Sequence, residues 1–181
     1  MRWLPNLLCL LRMALIWPVV VSIGQGQYTR TLALFMLAAF TDGLDGFLAK
    51  RFHWTSELGK LLDPMADKLL LIAVFLVATW HDLIPPALTA LAVARDLAIG
   101  LGAVVYRIGW GTLRGRPTLS SKLNTLAQVC YVLAVLAHAG LREPGTGVLR
   151  VLGVLTVCTL LVSGYSYVRE YTERALAVAR A

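Results

Sequence analysis

The feature that most constrains this chain is the recurrence of long apolar runs from one end to the other, separated only by short polar connections. A helix needs roughly 20 mostly apolar residues to cross a bilayer. Six segments read as such helices: Leu7–Ile23, Thr31–Ala49, Leu58–Trp80, Ile84–Tyr106, Lys122–Ala139 and Val148–Val168. The expected fold is all-α, a polytopic membrane protein of six transmembrane helices. Residues 1–181 then form one membrane domain, with no room for a separate soluble one. The tail after Tyr167 reads as a short amphipathic helix. Composition agrees: 58% of the 181 residues are hydrophobic and 15% are charged. A soluble domain runs nearer to about 45–50% apolar and about 25% charged.

Lysine and arginine orient the spans, because they gather on the cytoplasmic side. With six spans both termini share a side. That side holds Arg2, Lys50, Arg51, Lys60, Arg107, Arg114, Arg116, Lys122, Arg169, Arg174 and Arg180, eleven in all, against three (Arg30, Arg142 and Arg150) in the opposite loops. Both termini are expected in the cytoplasm, with the protein integral to a bacterial inner membrane. Met1-Arg2 ahead of an apolar run imitates a signal peptide. Arg12 interrupts that run, however, and no small-x-small cleavage site follows near Gly24, so it reads as a retained first span. The net charge of +7 fits loops lying on anionic lipid better than nucleic acid, since no aromatic residues line a basic groove. Cys9, Cys130 and Cys158 sit inside apolar runs with no C-x-x-C spacing, and read as buried small hydrophobes. The five tryptophans read mostly as interfacial anchors near span ends, and His53, His81 and His138 are too scattered for a site. Pro18 and the Pro85-Pro86 pair read as kink or helix-start residues.

The spans are not clean. Arg12, Asp42, Asp45, Asp63, Asp67, Lys68, Arg95 and Asp96 fall within or at the edges of apolar runs. A charge at bilayer centre costs about 2.5–3.5 kcal/mol on insertion scales, so each is a functional candidate. The competing account is local pairing, Lys68 with Asp67 and Arg95 with Asp96. The dense part is the run from Thr41 to Lys68. Asp42 and Asp45 are spaced i, i+3 and Asp63 and Asp67 i, i+4, so each pair shares a helix face. A short loop joins the two helices, which makes them antiparallel neighbours and brings all four carboxylates to the cytoplasmic mouth. Four carboxylates at close range repel one another, and burial adds desolvation. Lys50, Arg51, Lys60 and Lys68 offer one offset, a plain salt-bridge network. Divalent metal is the other: all-oxygen ligation suits Mg²⁺ or Mn²⁺, and Mg²⁺ commonly bridges carboxylates and substrate phosphates. Gly43, Gly46 and Gly59 break the local helix rule where a ligand would approach the backbone.

The same residues carry a family resemblance. Asp42-x2-Asp45-Gly46-x2-Ala49-Lys50-x8-Gly59-x3-Asp63-x3-Asp67 resembles the D-x2-D-G-x2-A-R-x8-G-x3-D-x3-D pattern of the CDP-alcohol phosphotransferases. Lys50 alone departs from it. Pro5-Asn6-Leu7-Leu8 with Arg12 is similar to the family's first-span signature, and six spans is the family's number. The resemblance implies transfer of a phosphate-linked group from a CDP-alcohol to a second alcohol, with release of CMP. It implies Asp42, Asp45, Asp63 and Asp67 as ligands of a pair of Mg²⁺ or Mn²⁺ ions, and Asp67 as the general base. It implies Asp45, Gly46, Lys50 and Gly59 as nucleotide contacts, CDP-diacylglycerol as the donor lipid, and a homodimer. Lysine at position 50 keeps the charge but loses the bidentate fork.

For the acceptor, the resemblance points to Arg95, Lys122 and Asn124. The segment from Arg116 through Gln128 is similar to the R-P-T-x2-S-K-x-N-T segment of CMP-forming cardiolipin synthases. Phosphatidylglycerophosphate synthases more often show G-K-x-K-T. Asn124 thus stands where a lysine would. A phosphodiester carries less charge than a phosphomonoester and needs one cation fewer. That favours phosphatidylglycerol as acceptor, with glycerol 3-phosphate the alternative. A reading of another class, a membrane metal transporter, accounts for intramembrane carboxylates too. It sits poorly with acidic residues confined to one face and with the lack of an inverted repeat.

Overall fold

The computed structural model describes the backbone of residues 4–52, 57–110 and 119–179, and the side chains of residues 10–43, 68–102, 119–169 and 172. It is all-helical. In chain order the helices are α1 (Leu4–Gly24), α2 (Tyr28–Phe52), α3 (Glu57–Trp80), α4 (Pro86–Trp110), α5 (Leu119–Leu141) and α6 (Thr146–Ala179). Each expected span falls on one of them. Trp3, His53, Trp54, Arg114, Arg116 and Pro117 lie outside the described residues.

Local chemistry sets the boundaries. α1 ends in a Schellman motif: the N–H of Gln27 reaches Ser22 O at 2.9 Å and that of Gly26 reaches Ile23 O at 2.9 Å. Gly26 supplies the left-handed residue the motif needs, at φ 70°. α3 ends the same way, with Leu83 bonded to Ala78 O and Asp82 to Thr79 O. There Asp82, at φ 57°, stands where glycine is usual. α4 begins at Pro86, two residues after the expected start at Ile84, because a residue before proline is pushed out of helical geometry. The Pro85-Pro86 pair is thus a helix start, whereas Pro18 lies inside α1. At the other end, α6 runs on unbroken for 34 residues. The tail is therefore not a separate short helix, since no glycine or proline after Tyr167 interrupts it. At 1.5 Å per residue it reaches about 50 Å, beyond the roughly 30 Å hydrocarbon core.

α1 packs on α2 and α3; α5 packs on α2, α3 and α6; α4 packs on α3 and α6. Among the described residues α2 and α3 are joined through α1 and α5, which both touch. The expected approach of Asp42 and Asp45 to Asp63 and Asp67 lies mostly outside the described residues. The apolar core is made by Val19 and Ile23 of α1, Phe35 of α2, Val74 and Phe75 of α3, Ile84, and Val132 and Leu136 of α5. These lie late in the odd-numbered helices and early in α2. The polar residues of the apolar runs lie at the opposite end of the same helices. The bundle therefore has a greasy end and a polar end, and α1 begins at the polar one.

Large apolar side chains also cover the outside. Trp17, Phe40, Leu101, Leu123, Val154 and Val168 are all more than half exposed. A soluble protein does not carry such a surface, but a bilayer accepts it. Among the described residues α5 and α6, the latter over Thr146–Arg169, are long and apolar enough to cross a membrane, and the described parts of α1 and α3, Leu10–Gly24 and Lys68–Trp80, are apolar as well. Cys130 and Cys158 are exposed on the bundle surface, not buried as expected. In a membrane helix the outward face is as apolar as the inward one, so an apolar neighbourhood in sequence does not mean a protein interior. Trp17, mid-helix in α1, is an outward apolar residue rather than an anchor at a span end.

Candidate active site

A cavity of about 600 Å³ opens at the polar end between α1, α2, α3 and α5. Its polar wall is Arg12, Asp42, Lys68, Ser121, Lys122 and Thr125. Its apolar wall includes Phe35, Leu70, Leu71, Leu126 and Val129. A charged mouth over an apolar slope suits an amphiphile with a phosphate head.

Each polar residue comes from a different local logic. Arg12 lies on α1 among leucines, and its side chain is only 1% exposed. Its Nη2 stands 3.0 Å from Asp42 Oδ1. A buried guanidinium is tolerable only when paired and hydrogen-bonded. Asp42 is half-exposed, so its carboxylate keeps a face toward the cavity. Thr41, next to it, turns its hydroxyl back on Ala38 O at 2.8 Å and stays inside the helix bundle. Asp45, Gly46 and Lys50 follow on α2, and Gly59, Asp63 and Asp67 lie on α3. Their side chains lie outside the described residues. Among the described residues, accordingly, no three His, Cys, Asp or Glu side chains converge. Asp42 is the one member of the four-aspartate set whose carboxylate is described, and it faces the cavity. A carboxylate set with no sulfur or imidazole donor fits a hard divalent cation.

Behind the cavity is a polar node that sequence pairing rules found only in part. Lys68 Nζ donates to Asp96 Oδ1 at 2.7 Å, and Arg95 Nη1 donates to the same oxygen at 2.6 Å. The expected Arg95–Asp96 pair is present. Lys68 thus has a partner across the bundle in Asp96, 28 residues on, while the side chain of Asp67, its expected partner, lies outside the described residues. Arg95 Nη2 also donates to Ser121 Oγ at 2.9 Å and to Ser163 Oγ. Its guanidinium lies 5.6 Å from the centre of the Tyr167 ring, within cation–π range. One arginine thus ties α4 to α5 and α6, and one aspartate ties α4 to α3.

The three residues expected at the acceptor end are therefore placed differently. Lys122 is exposed on the cavity wall. Arg95 is buried within the node, one residue behind the wall at Ser121. Asn124 is fully buried, and its Oδ1 accepts from Thr159 Oγ1 of α6 at 3.2 Å. Its Nδ2, like Gln128 Nε2 next along that face, finds no acceptor among the described residues. Ser121 and Thr125 are the wall residues that sequence reasoning missed, marked only by their i, i+4 spacing around Lys122, whereas Lys68 and Asp96 were flagged as intramembrane charges without a place in the site.

The sequence profile described as CDP-alcohol phosphatidyltransferase matches residues 2–164. A CMP-forming cardiolipin synthase of Rattus norvegicus is 34% identical over 91% of this chain and 60% of its own length. A chloroplastic CDP-diacylglycerol–glycerol-3-phosphate 3-phosphatidyltransferase of Oryza sativa is 31% identical over 94% of this chain and 57% of its own. The corresponding enzyme of Aquifex aeolicus is 29% identical over 93% of each. This chain spans about 60% of the length of the first of these relatives. With a profile match running through α1 to the body of α6, across every helix that walls the cavity, the chain belongs to the CDP-alcohol phosphatidyltransferase family of enzymes.

Proposed function

We propose that the chain transfers a phosphatidyl group from CDP-diacylglycerol to a glycerol-type acceptor alcohol with release of CMP, acting as a single membrane domain over residues 1–181. The observation that carries this reading is the cavity in which Asp42 of the eight-position motif faces the cations Arg12, Lys68 and Lys122. A pyrophosphate donor needs both a metal-binding carboxylate set and positive charge for its oxygens. Asp42, Asp45, Asp63 and Asp67 are the proposed ligands of two Mg²⁺ or Mn²⁺ ions. When bound, such a pair would stabilise charge on the attacking and leaving oxygens. Asp67 is the proposed general base, taking the proton of the acceptor hydroxyl. Asp45, Gly46, Lys50 and Gly59 are the proposed nucleotide contacts, with Lys50 acting as a point charge on phosphate.

The acceptor favoured is phosphatidylglycerol, which would make the activity that of a CMP-forming cardiolipin synthase. Support comes from the segment around Asn124 and from the rat relative. Glycerol 3-phosphate is the alternative, supported by the Oryza and Aquifex relatives. Lys122 is the direct acceptor contact. Arg95 and Asn124 act from behind the wall, through Ser121 and through the α5–α6 seam. Six spans, cytoplasmic termini, a bacterial inner membrane and a homodimer complete the reading.

The test is purified protein in detergent with labelled CDP-diacylglycerol and Mg²⁺ or Mn²⁺, offered both acceptors in parallel. Cardiolipin as dominant product is expected, and phosphatidylglycerophosphate would overturn the acceptor assignment alone. Asp67→Asn should abolish transfer while CDP-diacylglycerol binding stays measurable. Near-normal turnover in that variant would remove Asp67 from its role.

A further inference from the structure

We infer that Asp96 is the positioning residue for the acceptor end of the cavity, acting by anchoring Lys68 on its wall. The inference rests on the transfer reading above and adds to it a residue outside the motif. Asp96 is 7% exposed and lies on α4, none of whose described residues lines the cavity. Among the described residues it reaches the site through Lys68 and Arg95. Its Oδ1 is shared by Lys68 Nζ and Arg95 Nη1. Lys68 is a wall residue of the cavity and remains one-third exposed. Arg95 continues the chain of contacts to Ser121, which stands beside Lys122 at the head of α5.

The chemistry gives this arrangement a purpose. A lysine ammonium on a four-carbon stem has no directional fork, so its place in a cavity must be imposed by a partner. Asp96 imposes it. The shared oxygen fixes Lys68 on α3 relative to Arg95 and, through Ser121, relative to Lys122 on α5. Two cations from two helices are then held at a set separation on one wall. A phosphate of the acceptor would need both. Asp96 touches neither substrate, so it is not a catalytic residue. The carboxylate also offsets one of the two charges that Lys68 and Arg95 bring to the bundle interior.

The experiment compares Asp96→Asn, Asp96→Glu, Lys68→Gln and the Asp96→Asn/Lys68→Gln pair in purified full-length protein, using the acceptor the unmodified protein prefers. Asp96→Asn should raise the acceptor KM at least fivefold and leave the CDP-diacylglycerol KM within twofold. Asp96→Glu, which keeps the charge, should recover most of that loss. In the double variant, Asp96→Asn should add less than twofold to Lys68→Gln, because both remove one interaction. A merely structural role would instead raise both KM values or lower kcat with the folded fraction. An unchanged acceptor KM, or effects of the two single changes that multiply, would overturn the inference. If Asp96→Asn yields no monodisperse protein, Lys68→Gln decides alone: the same selective rise in acceptor KM supports the anchor, and its absence rejects it. Failure of the unmodified protein to release CMP with either acceptor brings down the transfer reading, and this inference with it.

Discussion

At position 12 a guanidinium sits almost fully buried against a half-exposed aspartate of the motif, 3.0 Å away. Removing one partner of a fully buried ion pair costs about 3–5 kcal/mol, but Asp42 is open to the cavity and water screens it, so the stability loss here falls well below that. Function is more sensitive, because Asp42 would join a carboxylate cluster without its nearest described cation. Arg12→Met is expected to lower CMP release at least tenfold per folded molecule, checked by assay of monodisperse protein. A rate within twofold of the parent would show that Asp42 needs no cation from α1. Asn124 makes the opposite case. Sequence comparison reads it as a selectivity position, a lysine exchanged for an amide. Its complete burial against Thr159 means that a lysine there would place a charge inside the α5–α6 seam. Asn124→Lys should therefore lower the thermal midpoint in detergent by several degrees and gain no activity with glycerol 3-phosphate. Acquired glycerol 3-phosphate activity at unchanged midpoint would restore Asn124 as a direct contact. The motif itself was legible in the sequence, because fixed spacing on a helix fixes a shared face. The Lys68–Asp96 pair was not, because residues 28 apart meet only when the helices pack.

Among the helices, the greatest uncertainty in sequence lay in which faces meet. In α1, α2 and α6 apolar residues do not gather on one face. In lipid the outward face has no reason to be polar, so periodicity does not reveal the packed side. Number and rough extent of the helices were legible for the complementary reason: length of apolar run survives any rotation. Small residues mark some contacts instead. Gly140, near the end of α5, meets the start of α2 so closely that an added Cβ would stand 2.8 Å from Thr29 N and 2.9 Å from Thr29 Oγ1. The first of these is backbone and cannot swing aside. Gly100, inside α4, would meet nothing within 4 Å. Gly140→Ala should destabilise the protein by about 1–3 kcal/mol, as overpacking does. Gly100→Ala should be neutral or stabilise by up to about 1 kcal/mol through helix propensity. Denaturant titration of both variants in one detergent checks the contrast. Equal behaviour would mean that the α2–α5 approach is looser than the structure shows.

For the whole molecule, the polar and apolar ends of the bundle make a statement about orientation that neither charge counting nor contacts make alone. The cavity lies toward the starts of α1 and α5 and where α2 approaches its C-terminal third, the end that the proposed orientation would turn to the cytoplasm. The loops holding Gln25 and Gly145 close the other end, beyond the apolar core of Ile23, Ala78 and Leu136. A cytidine nucleotide is soluble and charged, so a site that accepts its lipid conjugate and releases CMP must open to the compartment that holds it. With Cys9, Cys130 and Cys158 replaced by alanine, single cysteines at Gln25, Gly145 and Leu119 report the arrangement, since all three positions are exposed. In intact spheroplasts a membrane-impermeant maleimide should label Gln25→Cys and Gly145→Cys. It should reach Leu119→Cys, at the head of α5 beside the cavity, only after the membrane is opened. The reverse pattern would put the cavity on the outer face, away from the cytoplasmic nucleotide pool, and the transfer reading would then have no donor to draw on.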